Sequence, residues 1–288
     1  PQLDRVPVLH LLADGDALLI GTYDGLYRYE PASGALAHIE HVANDPGSLA
    51  SSTVRQIARV NGAYWYLTSR GISIATAADQ RSGFVNLLPD PADPDALPGN
   101  QLDSLAVDAR GRIWVGTAAG LAWLNSARPP YRFHTLHMAD GLGSDSINAV
   151  LPDAHGNVWA SLPNGIARVD GATLHAQTLG VRDGLRVSSY IYAAAARAPS
   201  GELLFGGLGG LTVIRPDWQS PPRTEPVLAI TRVTVNEQVQ PIGSLPPSGG
   251  SLTLAPEERN LRVAFALLEG RQGFTRKPAI RFLRHRSL

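Results

Sequence analysis

The sequence predicts an all-β chain, a β-propeller of four-stranded blades over residues 1–220 followed by a partial β-sandwich over residues 221–288. Three observations carry this. A glycine recurs at Gly25, Gly71, Gly120, Gly165 and Gly210, at spacings of 46, 49, 45 and 45 residues. Six residues before each stands a large apolar residue (Leu19, Trp65, Trp114, Trp159, Leu204), and Leu or Ile follows each directly. The apolar stretches are short, lack a 3.6-residue period and are punctuated by glycine turns, as strands of repeated sheets are.

Five units follow in order, at about 5–44, 45–92, 93–139, 140–182 and 183–220. Each opens on an apolar strand, such as "QLDSLAVDA" or "SINAVLPDA". A polar turn with glycine comes next ("DARG", "DAHG", "APSG"), then a strand centred on the bulky residue. The turn ending in the recurrent glycine leads to a third strand ("GLYRYE", "GLAWLN", "GIARVD"). A weaker fourth strand reads "ALAHIEH", "YRFHTLH" or "ATLHAQTL", and the fifth unit shows none. Inner strands apolar on successive residues, as in "RIWVGT", fit sheets covered on both faces by neighbouring blades. The bulky residues are expected to pack between blades, and the glycines to supply positive φ at the turns. The Pro-rich "RPDWQSPPRTEP" reads as a linker at 215–226. Beyond it "VLAITRVTVNEQVQPI" reads as a hairpin around "NEQ", and "GGSLTLAPEERNLRVAFALLE" as two further strands.

Composition narrows the function classes. Net charge is zero, so no global field favours nucleic acid or an anionic membrane. Without cysteine there are no disulfides, thiolate metal sites or Cys nucleophile. No apolar run approaches the roughly 18–20 residues of a membrane span. His38/His41 and His134/His137 are three apart on outer strands, where side chains point to opposite faces, so no metal site is expected. The sequence carries no G-x-S-x-G, H-E-x-x-H or phosphate-binding glycine loop. Among the turns before the third strands, only Asp24 and Arg70 titrate, and a general acid–base pair needs two positioned groups. Asp45, Asp93, Asp95, Asp140, Asp145 and Asp183 enter the first strands in recurring contexts that favour turn formation. The basic tail Arg271, Arg276, Lys277, Arg281, Arg284 and Arg286 reads as an irregular terminus.

"DARGRIWVGTAAGL" at 108–121 resembles the two-component regulator propeller repeat, D-x-x-G-x-[IVL]-W-[VA]-[GS]-T-x-x-G-[LI]. Residues 153–166 resemble it too, with Ser161 read in place of Thr. The resemblance covers roughly residues 5–216 and implies part of a seven-bladed propeller, of which five blades are visible, with open strand edges. "LAPEERNLRVAFALLE" resembles the three-tyrosine (Y_Y_Y) immunoglobulin-like domain that follows such propellers, here incomplete and lacking the usual tyrosines. The family builds periplasmic sensor parts of membrane signalling proteins whose cytoplasmic parts are histidine kinases, hybrid kinases or diguanylate cyclases. The resemblance therefore implies a non-catalytic periplasmic sensor segment without cofactor, reached by the membrane only through a segment beyond this chain, with homodimerisation through either domain as a further expectation. The alternatives are a protein-interaction scaffold and, third, a propeller lyase or hydrolase.

Ligand specificity is expected where units depart from the repeat. Tyr23, Asp24, Arg70, Asn100, Asn164, Arg186 and Tyr190 lie near turns predicted to share one rim. Tyrosine and arginine there offer stacking and forked hydrogen bonds suited to a small polar or carbohydrate ligand.

Overall fold

The computed structural model describes residues 3, 5–76, 83–215, 218, 227–240, 255, 257, 260–268 and 279–282. The chain divides into two units, 1–218 and 219–288. In the first, five antiparallel sheets follow one another along the sequence. The first blade is β1 (Val8–Asp14), β2 (Ala17–Thr22), β3 (Gly25–Glu30) and β4 (Ala35–Ile39). The second is β5 (Val54–Val60), β6 (Ala63–Thr68), β7 (Ile72–Ala75) and β8 (Val85–Leu87). The third is β9 (Leu102–Val107), β10 (Ile113–Thr117), β11 (Gly120–Leu124) and β12 (His134–Leu136). The fourth is β13 (Ala149–Pro152), β14 (Val158–Leu162), β15 (Gly165–Val169) and β16 (Ala176–Leu179). The fifth has three described strands, β17 (Tyr190–Arg197), β18 (Leu203–Gly207) and β19 (Gly210–Ile214). No α-helix occurs among the described residues.

First strands neighbour one another in order, β1 on β5, β5 on β9, β9 on β13 and β13 on β17. In the first four blades the bulky residue packs against the blade that follows. Leu19 lies with Val54 and Ile57, Trp65 with Leu105 and Ile113, Trp114 with Val150 and Val158, and Trp159 with Leu203 and Phe205. Trp65, Trp114 and Trp159 are at most 2% exposed, which makes the blade interfaces the core of this unit. Leu204, in the fifth and last described blade, is only half-buried.

The aspartate of the repeat explains why tryptophan follows it by six residues. Asp108 Oδ1 accepts the backbone N–H groups of Arg110 and Arg112, closing the turn, and Oδ2 accepts Trp114 Nε1–H at 2.9 Å. Asp153 does the same for His155, Asn157 and Trp159. The second blade has Arg59 at this position, and Trp65 Nε1 is buried without an acceptor.

Two expectations need correction. Ser161 pairs with Ile166 as Gly116 pairs with Leu121, so Leu162, not Ser161, replaces the threonine. That threonine closes the turn elsewhere, Thr117 Oγ1 donating to Gly120 O at 2.9 Å. Nor is positive φ common to all five recurrent glycines, since Gly165 and Gly210 lack it. Close approach of the fourth strand is what the first four share. A Cβ on Gly120 would sit 2.7 Å from Leu136 O, and one on Gly165 would overlap Leu179 O.

The second unit holds one described sheet of β20 (Val227–Val235), β21 (Gln238–Gln240), β22 (Leu261–Leu268) and β23 (Ala279–Phe282), ordered β21-β20-β22-β23. Asn236 and Glu237, both at positive φ, make the tight turn between β20 and β21. The second layer of a sandwich and the basic tail, apart from Arg281 in β23, lie outside the described residues.

Candidate functional site

The turns joining second to third strands share one rim with the loops entering first strands. Ser69 N–H donates to Thr53 O, Ala118 N–H to Gln101 O, Gly120 N–H to Asp145 O and Leu208 N–H to Ser189 O. Tyr23, Asp24, Arg70, Asn100, Asn164 and Arg186 stand exposed on these segments. Asp24 accepts the Tyr27 hydroxyl at 3.2 Å, and Asn164 Nδ2 donates to Gly143 O at 3.4 Å. Tyr190 is a correction. It is 4% exposed, packs with Trp159 and Phe205, and shares a 2.7 Å hydrogen bond with Thr212 Oγ1. Burial also raises its phenol pKa, and it presents no surface to a ligand. It follows a polar loop in sequence, but it is the first residue of β17, where the bulky ring fills the interface with the fourth blade.

A polar set beside the axis escaped the sequence reading. Each of β1, β5 and β9 carries a one-residue bulge, and β17 a longer one. The extra residues in β5 and β9 are Arg55 and Asp103, paired at 2.9 Å across the second and third blades. Burial pushes the Asp103 carboxyl above the ordinary aspartate value, against the pull of Arg55. Asn148, entering β13, donates Nδ2–H to Tyr190 O at 2.8 Å and ties the fourth blade to the fifth. A bulge leaves the apolar pattern on both sides intact, so only strand register reveals it.

Two of the cavities among the described residues lie on the flanks of the blades. The larger, about 590 Å³, opens between the 89–98 loop and the outer edge of the third blade, lined by Asp90, Asp93, Asp95, Trp123, His134 and His137 among others. A single bridge between Pro89 and Leu97 shapes the loop, and Phe133 N–H donates to Asp95 O at 2.8 Å. Trp123 stacks on Trp114 with ring centroids 5.5 Å apart, and His134, its cross-strand partner, tilts over the other side at 5.1 Å. The smaller cavity, about 290 Å³, runs along β19 and is lined by Arg186, Leu211, Val213 and Trp218. Of the rim candidates, Arg186 alone lines either cavity.

Residues 96–119, the end of that loop with β9, β10 and their turns, match the family model described as two component regulator propeller. No curated protein is significantly similar to the chain in sequence. Among solved structures, the chain resembles the extracellular domain of BT3049, described as a hybrid two component system of B. thetaiotaomicron. The two share 24% identity at a TM-score of 0.70, over 93% of this chain and 36% of that one. This chain thus spans little more than a third of its neighbour's length. Virginiamycin B lyase from Staphylococcus aureus aligns at 10% identity and TM-score 0.51, over 96% of this chain and 85% of the lyase. YCF48 from Cyanidioschyzon merolae aligns at 14% and 0.51, over 74% and 69%. At these identities the likenesses speak for the fold, and the sequence match speaks for the repeat. The chain is a series of β-propeller blades that carries the two component regulator propeller repeat.

Proposed function

We propose that the chain is a non-catalytic, extracytoplasmic recognition segment of a membrane signalling protein, placed in the periplasm, whose output domain is a histidine kinase or a diguanylate cyclase. The carrying observation is the regulator-propeller match on the third blade. The likeness to an extracellular domain described as part of a hybrid two component system agrees with it. The rim is the recognition surface of this reading. Tyr23, Asp24, Arg70, Asn100, Asn164 and Arg186 are exposed there on short, hydrogen-bonded turns, and fixed loops on a rigid scaffold suit binding. Their chemistry, one phenol, two amides, one carboxylate and two guanidinium groups, suits a small polar or carbohydrate ligand.

The test replaces Tyr23, Arg70 and Arg186 singly with Ala in the intact receptor and follows signalling output beside protein level. Reduced output at unchanged protein level is expected for at least one. Output at wild-type level in all three would move recognition away from the rim. Kinase or cyclase activity in this chain alone would overturn the reading as a whole.

A further inference from the structure

The groove beside the third blade has an unusual balance of hydrogen-bonding groups. Its loop wall contains Pro89, Pro91, Pro94 and Pro98, which carry no backbone N–H. The N–H groups it does have are spent internally. Ala92 donates to Asp90 Oδ1 and Asp95 to Asp93 Oδ1, both at 2.9 Å, while Asp93 and Ala96 donate to the carbonyls of Asp90 and Asp93. Those turns use one oxygen of each carboxylate. Among the described residues the second oxygens of Asp90 and Asp93 have no partner, and both side chains are exposed. Asp95 adds a third carboxylate, held only by a 3.6 Å exposed pair with Arg132. The wall is therefore rich in acceptors and poor in donors.

The facing wall adds a second, independent feature. Trp123 is 8% exposed, lines the groove, and its Nε1–H has no acceptor among the described residues. The comparable groups elsewhere are satisfied or sealed. Trp114 and Trp159 donate to Asp108 and Asp153, Tyr27, which stacks on its cross-strand partner His38, donates to Asp24, and Trp65 is enclosed in the core. Trp123 alone of these borders open space with an unpaired N–H.

We infer that this groove binds an organic cation of the guanidinium or ammonium class, taken up by Asp90, Asp93 and Asp95, with an acceptor atom of the same ligand meeting Trp123 Nε1–H. A guanidinium carries five donors and no acceptor, the complement of the loop wall. The chemistry could come from a free amine or from an arginine side chain on an extended peptide. This inference is independent of the rim, since none of the six exposed rim residues lines the groove.

The probes are agmatine, spermidine and a capped Gly-Arg-Gly-Arg-Gly peptide, titrated into the full chain by calorimetry and tryptophan fluorescence. Saturable binding that weakens with salt is expected. Asp90→Asn/Asp93→Asn keeps the amide oxygen each turn needs and removes both charges, so it should weaken binding at least tenfold while the melting temperature stays put. Trp123→Phe should weaken binding of the peptide several-fold, since its carbonyls supply the acceptor, and should leave agmatine and spermidine, which have none, unaffected. The charge control Asp16→Asn, at an exposed turn of the first blade, should leave all three unchanged. Binding of the free amines would point to a small-molecule ligand, and binding of the peptide alone to a protein partner. Failure of all three probes at millimolar concentration would overturn the inference. So would equal affinity in the Asn double variant.

Discussion

Asp108 and Asp153 hold together what the repeat motif writes as separate letters. Burial alone would raise each carboxyl, but the hydrogen bonds from Trp114 and Arg112, and from Trp159 and Asn157, outweigh it and leave both below the ordinary aspartate value of 3.8. A carboxylate lowered on folding adds stability that is whole above 3.8 and is lost as pH falls through the folded value. Asp103 works in the opposite sense, since its raised folded value means that protonation at low pH relieves a cost. Thermal melts between neutral pH and about pH 3 should therefore fall less steeply for Asp153→Asn than for wild type. Asp108→Ala strands a buried indole N–H and two turn N–H groups and should cost about 3 kcal/mol. The indoles give an internal control. Trp114→Phe discards a bond to Asp108, whereas Trp65→Phe discards an N–H that has no acceptor. Urea unfolding should show Trp65→Phe as the milder change by about 1 kcal/mol. The spacing of aspartate and tryptophan is legible in the sequence because bond and interface both depend on it. The Asp103–Arg55 pair is not, because it joins bulge residues 48 positions apart in strands that become neighbours only when blades stack.

At the level of the blade, the recurrent glycine marks where the fourth strand crosses closest to the third. Two of the five positions separate this cause from backbone conformation, since neither Gly165 nor Gly210 has positive φ. A Cβ on Gly165 would overlap the carbonyl of Leu179 in β16, whereas one on Gly210, in the blade with no fourth strand among the described residues, meets only Val187 Cγ2 at 3.6 Å. Gly165→Ala should thus destabilise by about 2 kcal/mol or displace β16, the range for forcing atoms into a packed site. Gly210→Ala should be within about 0.5 kcal/mol of wild type, as ordinary surface changes are. Equal effects would mean that the approach of the fourth strand is not the reason for the glycine at Gly165. The same comparison shows what a repeat reveals. Gly25, Gly71, Gly120 and Gly165 register because each of these blades solves the same packing problem, and Gly210 keeps the letter in a blade where no described fourth strand poses it. The groove of the third blade had no such signal. Its walls are one loop at 89–98 and strand residues about 30 positions later, and each reads alone as turn-forming aspartates or a solvated edge.

Across the propeller unit, the order of blades leaves two ends unlike the middle. In the third blade, Leu121 and Trp123 sit one and three residues after the recurrent glycine start, at 0% and 8% exposure beneath the fourth blade. Their counterparts in the fifth blade, Leu211 and Val213, are 57% and 49% exposed. On a strand such residues share a face, so β19 presents an apolar stripe of the kind other blades bury. Val8 and Leu11 of β1 are exposed at the opposite end of the blade order. Exposed apolar faces with open strand edges are docking surfaces or association hazards. Pairing two different faces between copies would be a head-to-tail contact, which does not close by twofold symmetry. The chain as it stands should consequently self-associate with rising concentration. Sedimentation velocity should show wild type growing beyond monomer over a range of about 1–100 μM, a span that covers weak association. Leu211→Glu/Val213→Glu should shift that growth to higher concentration without loss of the folded baseline. Leu121→Glu, which would place a charge inside a blade interface, should unfold the protein instead. If the Glu double variant and wild type sediment identically at every concentration, the fifth blade's face takes no part in association.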